Sequence, residues 1–311
     1  MKNTAIKLSG ILLAGAVFFS TLLGYGTQVA AATAIGSDTE EGQASGDGSV
    51  AGLPGKHIGV QLGTTGDIMV SDYETDGSGT VVERYNKGAD AVQALKQGKL
   101  DCVIIDELPA LAFVEQNEGL KILEENFVEE DYAFVIAKGN EALVDQVNET
   151  LRELKDEGVL DNIAKNYTGT DEEIGKYPYE ILDVERTNGT LTVGTNAEFP
   201  PYEYYEEGKI TGIDMDIMQA VCDKLGMELI EDMAFDSVIP AVSTGKVDIG
   251  ASGFTVTEER KKNVNFTDTY AKSKQVIIVR DTSVTAEKTG IAEKFYDNFI
   301  KDSRYTYLLK G

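Results

Sequence analysis

Short apolar runs alternate with amphipathic stretches in two separate parts of the chain. In the first, runs at 57–61, 80–84, 102–105 and 132–137 predict strands. Apolar positions recurring every three or four residues in 89–97 and 108–115 predict helices between them. Alternation of this kind argues for parallel βαβ units. Residues 141–166 then place Val144, Val147, Leu151, Leu154, Leu160 and Ile163 on one face, which predicts one or two amphipathic helices broken at Gly158. A polar stretch, 169–190, containing Pro178, Asp183 and Gly189, leads to the second alternating part. Its predicted strands are 191–195, 228–231, 247–251 and 275–279, and its predicted helices are 216–225 and 237–243.

The ends of the chain follow different rules. Lys2 and Lys7 precede an apolar run over 8–23, and small residues at 29–31 or 32–34 offer cleavage positions, so 1–34 reads as a signal peptide or a retained membrane anchor. Residues 35–54 form a polar, flexible linker. Residues 281–311 form a charged tail that predicts a helix.

Composition narrows the partners. The 311 residues allow two domains, and 42% hydrophobic content with 32 glycines fits a globular α/β protein. A net charge of -25 argues against nucleic acid, which requires basic patches. Cys102 and Cys222 lie in apolar segments as core thiols or as one disulfide. The single histidine, His57, opens a strand with no nucleophile motif beside it, and no cluster has metal-ligand spacing; Asp214 and Asp216 read as helix-start residues. Neither a cofactor, a metal nor a catalytic residue is indicated.

The most informative run is VDIGASGFTVTEER, 247–260. Its small residues let a ligand approach backbone N–H groups, and the forked guanidinium of Arg260 suits a carboxylate. The other reading is a strand, a turn and a surface arginine, and the run alone does not choose between them.

Residues 191–280 resemble the first lobe of the polar amino-acid-binding proteins of ABC importers. GTNAEFPPYEY (194–204), ITGIDMDIMQAV (210–221) and FDSVIPAVSTGKVDIGASGFTVTEERKKNVNFTDTY (235–270) carry the resemblance. Residues 55–138 resemble the second lobe, through GKHIGVQLGTTGD (55–67), GKLDCVIID (98–106) and the run that begins YAFVIAKGNEALVDQ at 132. Residues 139–168 resemble the helices that return to the first lobe, and 169–190 act as a connector. The implied fold is the α/β, two-lobed periplasmic-binding-protein type 2 fold with its lobe order permuted. Circular permutation and a remnant of two tandem modules both explain that order. The tail, 281–311, resembles the segment leading into an importer's permease subunit; an ordinary amphipathic helix is the alternative.

The resemblance implies an extracytoplasmic protein that captures a free polar amino acid, glutamine first, between its lobes and delivers it to an ABC permease with its ATPase. It implies a monomer in which 132–137 crosses between the lobes and pairs at the hinge with 275–279, with a lobe-swapped dimer as the rival. It places Arg260 and a backbone N–H of Thr65 on the ligand carboxylate, Asp106 on the ammonium, and Gly253 and Thr255 against both. Asp106 has a competing role as the N-cap of the helix that follows it. Phe199 and Phe235 flank the ligand side chain from loops, and Asn196 and Gln61 meet its polar end. Thr257 is expected to cap the segment holding Arg260, with Glu258 and Glu259 in solvent. A dehydratase of cyclic acids on the same fold is an alternative, with Glu198 or Glu107 as its acid, and an amino-acid sensor domain is another.

Overall fold

The computed structural model describes residues 50–125 and 127–281. The signal or anchor segment, most of the linker and all but the first residue of the tail lie outside the described residues.

The first α/β segment runs β1 (His57–Gln61), α1 (Thr65–Val70), β2 (Val81–Tyr85), α2 (Gly88–Lys96), β3 (Cys102–Asp106), α3 (Glu107–Gln116), β4 (Leu120–Ile122), β5 (Val128–Tyr132) and β6 (Val135–Ala137). Two helices follow, α4 (Glu141–Asp156) and α5 (Val159–Thr168). The second segment runs β7 (Thr190–Thr195), β8 (Glu198–Phe199), β9 (Glu203–Glu206), β10 (Lys209–Thr211), α6 (Ile213–Leu225), β11 (Glu228–Asp232), α7 (Phe235–Ser243), β12 (Ile249–Gly250), β13 (Val264–Phe266) and β14 (Ala271–Arg280).

One sheet has the order β2-β1-β3-β14-β4, with β5 also paired to β14; the other has the order β11-β7-β12-β6-β13. β8, β9 and β10 form a small antiparallel sheet. All five residues of β3 are buried, as an apolar strand covered on both faces must be.

The sheets trade strands. β14 comes from the second segment yet pairs antiparallel with β3, β4 and β5 of the first. In return β6 pairs with β12 and β13. The apolar run 132–137 is therefore two strands in two sheets, not one. Its expected pairing with 275–279 is also displaced: Tyr132 lies opposite Ala271, and Gln275 opposite Val128. The chain thus crosses between sheets twice, after Tyr132 and after Phe266. The crossovers run side by side, with Tyr270 N donating to Tyr132 O at 2.9 Å and Thr267 N to Phe134 O at 3.0 Å. Phe134 and Tyr270 stack there at 4.3 Å.

The 141–166 periodicity resolves into two helices meeting at Gly158. The buried face of α4 is centred on Leu143, Val147, Leu151 and Leu154; Val144 sits at its border. Both helices pack on α6, helped by Tyr167 OH donating to Asp216 Oδ2 at 2.8 Å. The stretch 169–190 is pinned to the same helix by Asp223, which accepts from Tyr179 OH, Leu182 N and Gln219 Nε2, each at 2.8 Å, and from Arg186. Cys102 and Cys222 are both buried and free, which removes the disulfide alternative.

Candidate functional site

The carboxyl ends of parallel strands leave loops free to meet a ligand. The loops after β1, β3, β7 and β12 converge here. They line a small cleft between the two sheets. Its walls carry Gln61, Thr65, Asp106, Phe199, Phe235, Gly253, Thr255 and Arg260, together with Thr64 and Ser252. Sequence reasoning left out the last two. Each adjoins a chosen residue in a small-residue run, the signal that would have found them. Asn196 does not line the cleft; its Oδ1 accepts from Gln61 Nε2 at 3.1 Å, one step behind the wall.

Arg260 is 6% exposed. It is therefore not the surface arginine of the alternative reading. Nη1 donates to Thr255 O and Nη2 to Gly63 O, both at 3.0 Å, so the guanidinium spans the cleft. The Phe235 and Phe254 rings lie 5.8 and 5.6 Å from Cζ. No ion pair among the described residues includes it. Burial lowers its pKa, opposed by the negative charges of Glu130 and Asp106. Thr257 Oγ1 accepts from Arg260 N at 3.1 Å, the cap foreseen, and Glu258 and Glu259 pair with Lys261 and Lys262 at the surface.

Asp106 occupies the N-cap position of α3, yet its side chain makes no cap hydrogen bond. It accepts instead from the buried Tyr132 hydroxyl. Burial, and then the charge of Glu130, push its pKa well above the usual carboxylate range. A cation placed beside it would reverse that shift and favour the ionised form.

Gly253 has φ +53, and a Cβ there would stand 3.0 Å from the Phe199 ring and 3.2 Å from the Tyr132 ring. Only glycine lets the backbone lie this close to the aromatic wall. Phe235 is not in a loop: it is the first residue of α7, and Phe199 ends the short strand β8. Asp214 is a helix-start residue but caps nothing; its Oδ2 accepts from Gly253 N at 3.0 Å, across the fold. Glu198 pairs with Lys87, and Glu107 pairs with Lys274 at 2.7 Å, so a lysine holds each acid considered for the dehydratase reading. Among the described residues no group of His, Cys, Asp or Glu has metal-binding geometry, and no helix is long and apolar enough to cross a membrane.

Residues 191–306 match the sequence model of the bacterial extracellular solute-binding proteins, family 3. The chain is 43% identical over 82 residues to the arginine-binding protein ArgT of Corynebacterium glutamicum, covering 26% of this chain and 27% of that protein. It is 39% identical over 94 residues to the arginine-binding extracellular protein ArtP of Bacillus subtilis, covering 30% and 37%. Among solved structures, the unliganded open form of the L-cystine solute receptor of Neisseria gonorrhoeae is 32% identical over 25% of this chain and 34% of that one, with a TM-score of 0.24. The chain spans about a third of the length of the curated relatives it matches.

Proposed function

We propose, from the match of residues 191–306 to the sequence model of the bacterial extracellular solute-binding proteins of family 3, that this chain captures a free polar amino acid outside the cytoplasm and passes it to an ABC permease with its ATPase. One observation carries the reading. A buried arginine, in no ion pair among the described residues, shares a small cleft with a buried aspartate, and a zwitterion answers both. The ligand carboxylate belongs on Arg260 with the Thr65 N–H, and the ammonium on Asp106. Gly253 and Thr255 supply further polar backbone groups. The ammonium would displace a proton from Asp106, so binding releases protons where that carboxyl is neutral.

The finer reading concerns the side chain. Phe199 and Phe235 offer two ring faces, and the amide pair of Gln61 in the wall and Asn196 behind it is uncharged. These favour a neutral polar group, with glutamine tested first. The arginine named for two relatives is the direct competitor, since ring faces also receive a guanidinium. The lobes follow one another in exchanged order within one chain, and two crossovers suffice for a monomer with one cleft.

A thermal-shift series over the twenty amino acids, followed by calorimetry, tests this. Glutamine should give the largest shift, with one site per chain and a monomer by light scattering. Asp106→Asn should weaken binding by about 2–5 kcal/mol. No shift with any amino acid would end the reading. A tenfold preference for arginine would end the glutamine assignment alone.

A further inference from the structure

Behind the Ser252–Gly253 loop lie two carboxyls that amino-acid capture as described leaves without a role. Glu203, on β9, and Asp214, in the first turn of α6, are both 0% exposed. Each gives one oxygen to the loop. Ser252 Oγ donates to Glu203 Oε1 at 2.6 Å, and Gly253 N donates to Asp214 Oδ2 at 3.0 Å. The remaining oxygens, Glu203 Oε2 and Asp214 Oδ1, are buried without a hydrogen-bond donor. The ion pairs among the described residues include neither carboxyl.

Two carboxylates out of water, bonded to adjacent loop residues and with no ion pair among the described residues, cannot both ionise. A proton held between them turns repulsion into a strong hydrogen bond. It also gives Glu203 Oε2 and Asp214 Oδ1 a shared bond, with the Tyr270 hydroxyl facing Asp214 as the other donor nearby.

We propose that Glu203 and Asp214 form a one-proton carboxyl pair that positions the Ser252–Gly253 loop, and that loss of this proton loosens the loop and weakens amino-acid binding. The last step rests on the binding reading above; the pair itself does not. The groups facing it are Tyr202, Tyr270 and, beyond Glu203, Asp106, all neutral or acidic. Burial raises both carboxyls. Asp214 reaches about 7 despite the Gly253 N–H, and Glu203 is pushed further by the Asp214 charge. The folded chain therefore holds a proton that the unfolded chain has released. The stabilisation is full below the unfolded carboxylate pKa of about 4 and is lost as pH rises through the folded value.

Glu203→Gln places an amide donor where the proton sits and keeps an oxygen for Ser252. On the full chain, thermal unfolding is followed from mildly acidic to mildly alkaline pH. The wild-type midpoint should fall across this range, and that of Glu203→Gln should fall less. Infrared spectra of the ligand-free protein at neutral pH should show protonated-carboxyl absorption that is weaker in the variant, the part that remains coming from Asp106. Proton release from Asp106 raises affinity with pH in both proteins, so the pair is read from their ratio: affinity of the wild type for L-glutamine and L-arginine as probes should fall relative to that of the variant, by up to about tenfold per unit as pH rises. Asp214→Asn, which keeps the same donor count, should repeat each result. An unchanged unfolding slope or an unchanged infrared band overturns the pair. So does failure of both variants to fold, because each amide can make every bond assigned to the proton. If neither probe binds, the binding reading fails, while the slope and the band still decide the pair.

Discussion

Replacing Arg260 by methionine separates a binding role from a structural one. The wild-type side chain makes two hydrogen bonds to carbonyls at 3.0 Å and lies over two rings. Charged donors contribute about 1.5–3 kcal/mol each, and each ring contact about 0.5–2 kcal/mol. Against this stands the burial of an ion, which costs several kcal/mol. The two sides nearly cancel, so Arg260→Met should change the stability of the ligand-free protein by about 2 kcal/mol or less. Methionine retains an unbranched stem that packs on Phe235 and Phe254. Binding has no such compensation. A carboxylate that loses a buried charged partner costs about 2–5 kcal/mol, or roughly 30-fold to a few thousand-fold in affinity. Urea unfolding without ligand gives the first quantity. Calorimetry with the amino acid of largest thermal shift gives the second. Affinity within about threefold of wild type would refute the assignment, at roughly 0.7 kcal/mol. A stability loss above about 4 kcal/mol with binding intact would make Arg260 a structural clamp.

Three further outcomes follow from the packing. Asp223→Ala should free the 169–190 stretch, seen as faster proteolysis there. Burial alone would raise the Asp223 pKa, but Leu182 N–H, Arg186 and Tyr179 together hold it below its usual value, so this contact is present above about pH 4 and is lost only as pH falls through the folded value. Gly212→Ala should lower stability by about 2–4 kcal/mol in urea melts: Gly212 has φ +127, and a Cβ there would stand 2.2 Å from Tyr202 O. Cys102 and Cys222, both pushed up to about 12 by burial, should ignore thiol reagents in the native state and react only after unfolding; reaction of the native protein would place a thiol outside the core.

Much of the architecture is local and was legible. The alternation of strands and helices, the break at Gly158 and the Thr257 cap depend on periodicity and short-range bonding, which neighbouring residues carry themselves. The cluster around Arg260 was legible only through the family resemblance, because small residues beside a forked cation also fit a turn and a surface arginine. Long-range partners were legible only in part. An apolar strand declares that it is buried, not which sheet buries it, so the pairing of 275–279 with the hinge run was expected, but the split of 132–137 between two sheets and the register of that pairing were not. Asp106 was ambiguous because an N-cap and a ligand acid look alike in sequence; its bond to a tyrosine 26 residues away, brought near by the crossover, takes the side chain out of the cap role. Glu203 and Asp214 were read singly, as an unremarked acid and a helix-start residue. Their meeting behind the ligand loop depends on how β9, α6 and that loop pack together, and only the tertiary structure fixes how distant segments meet.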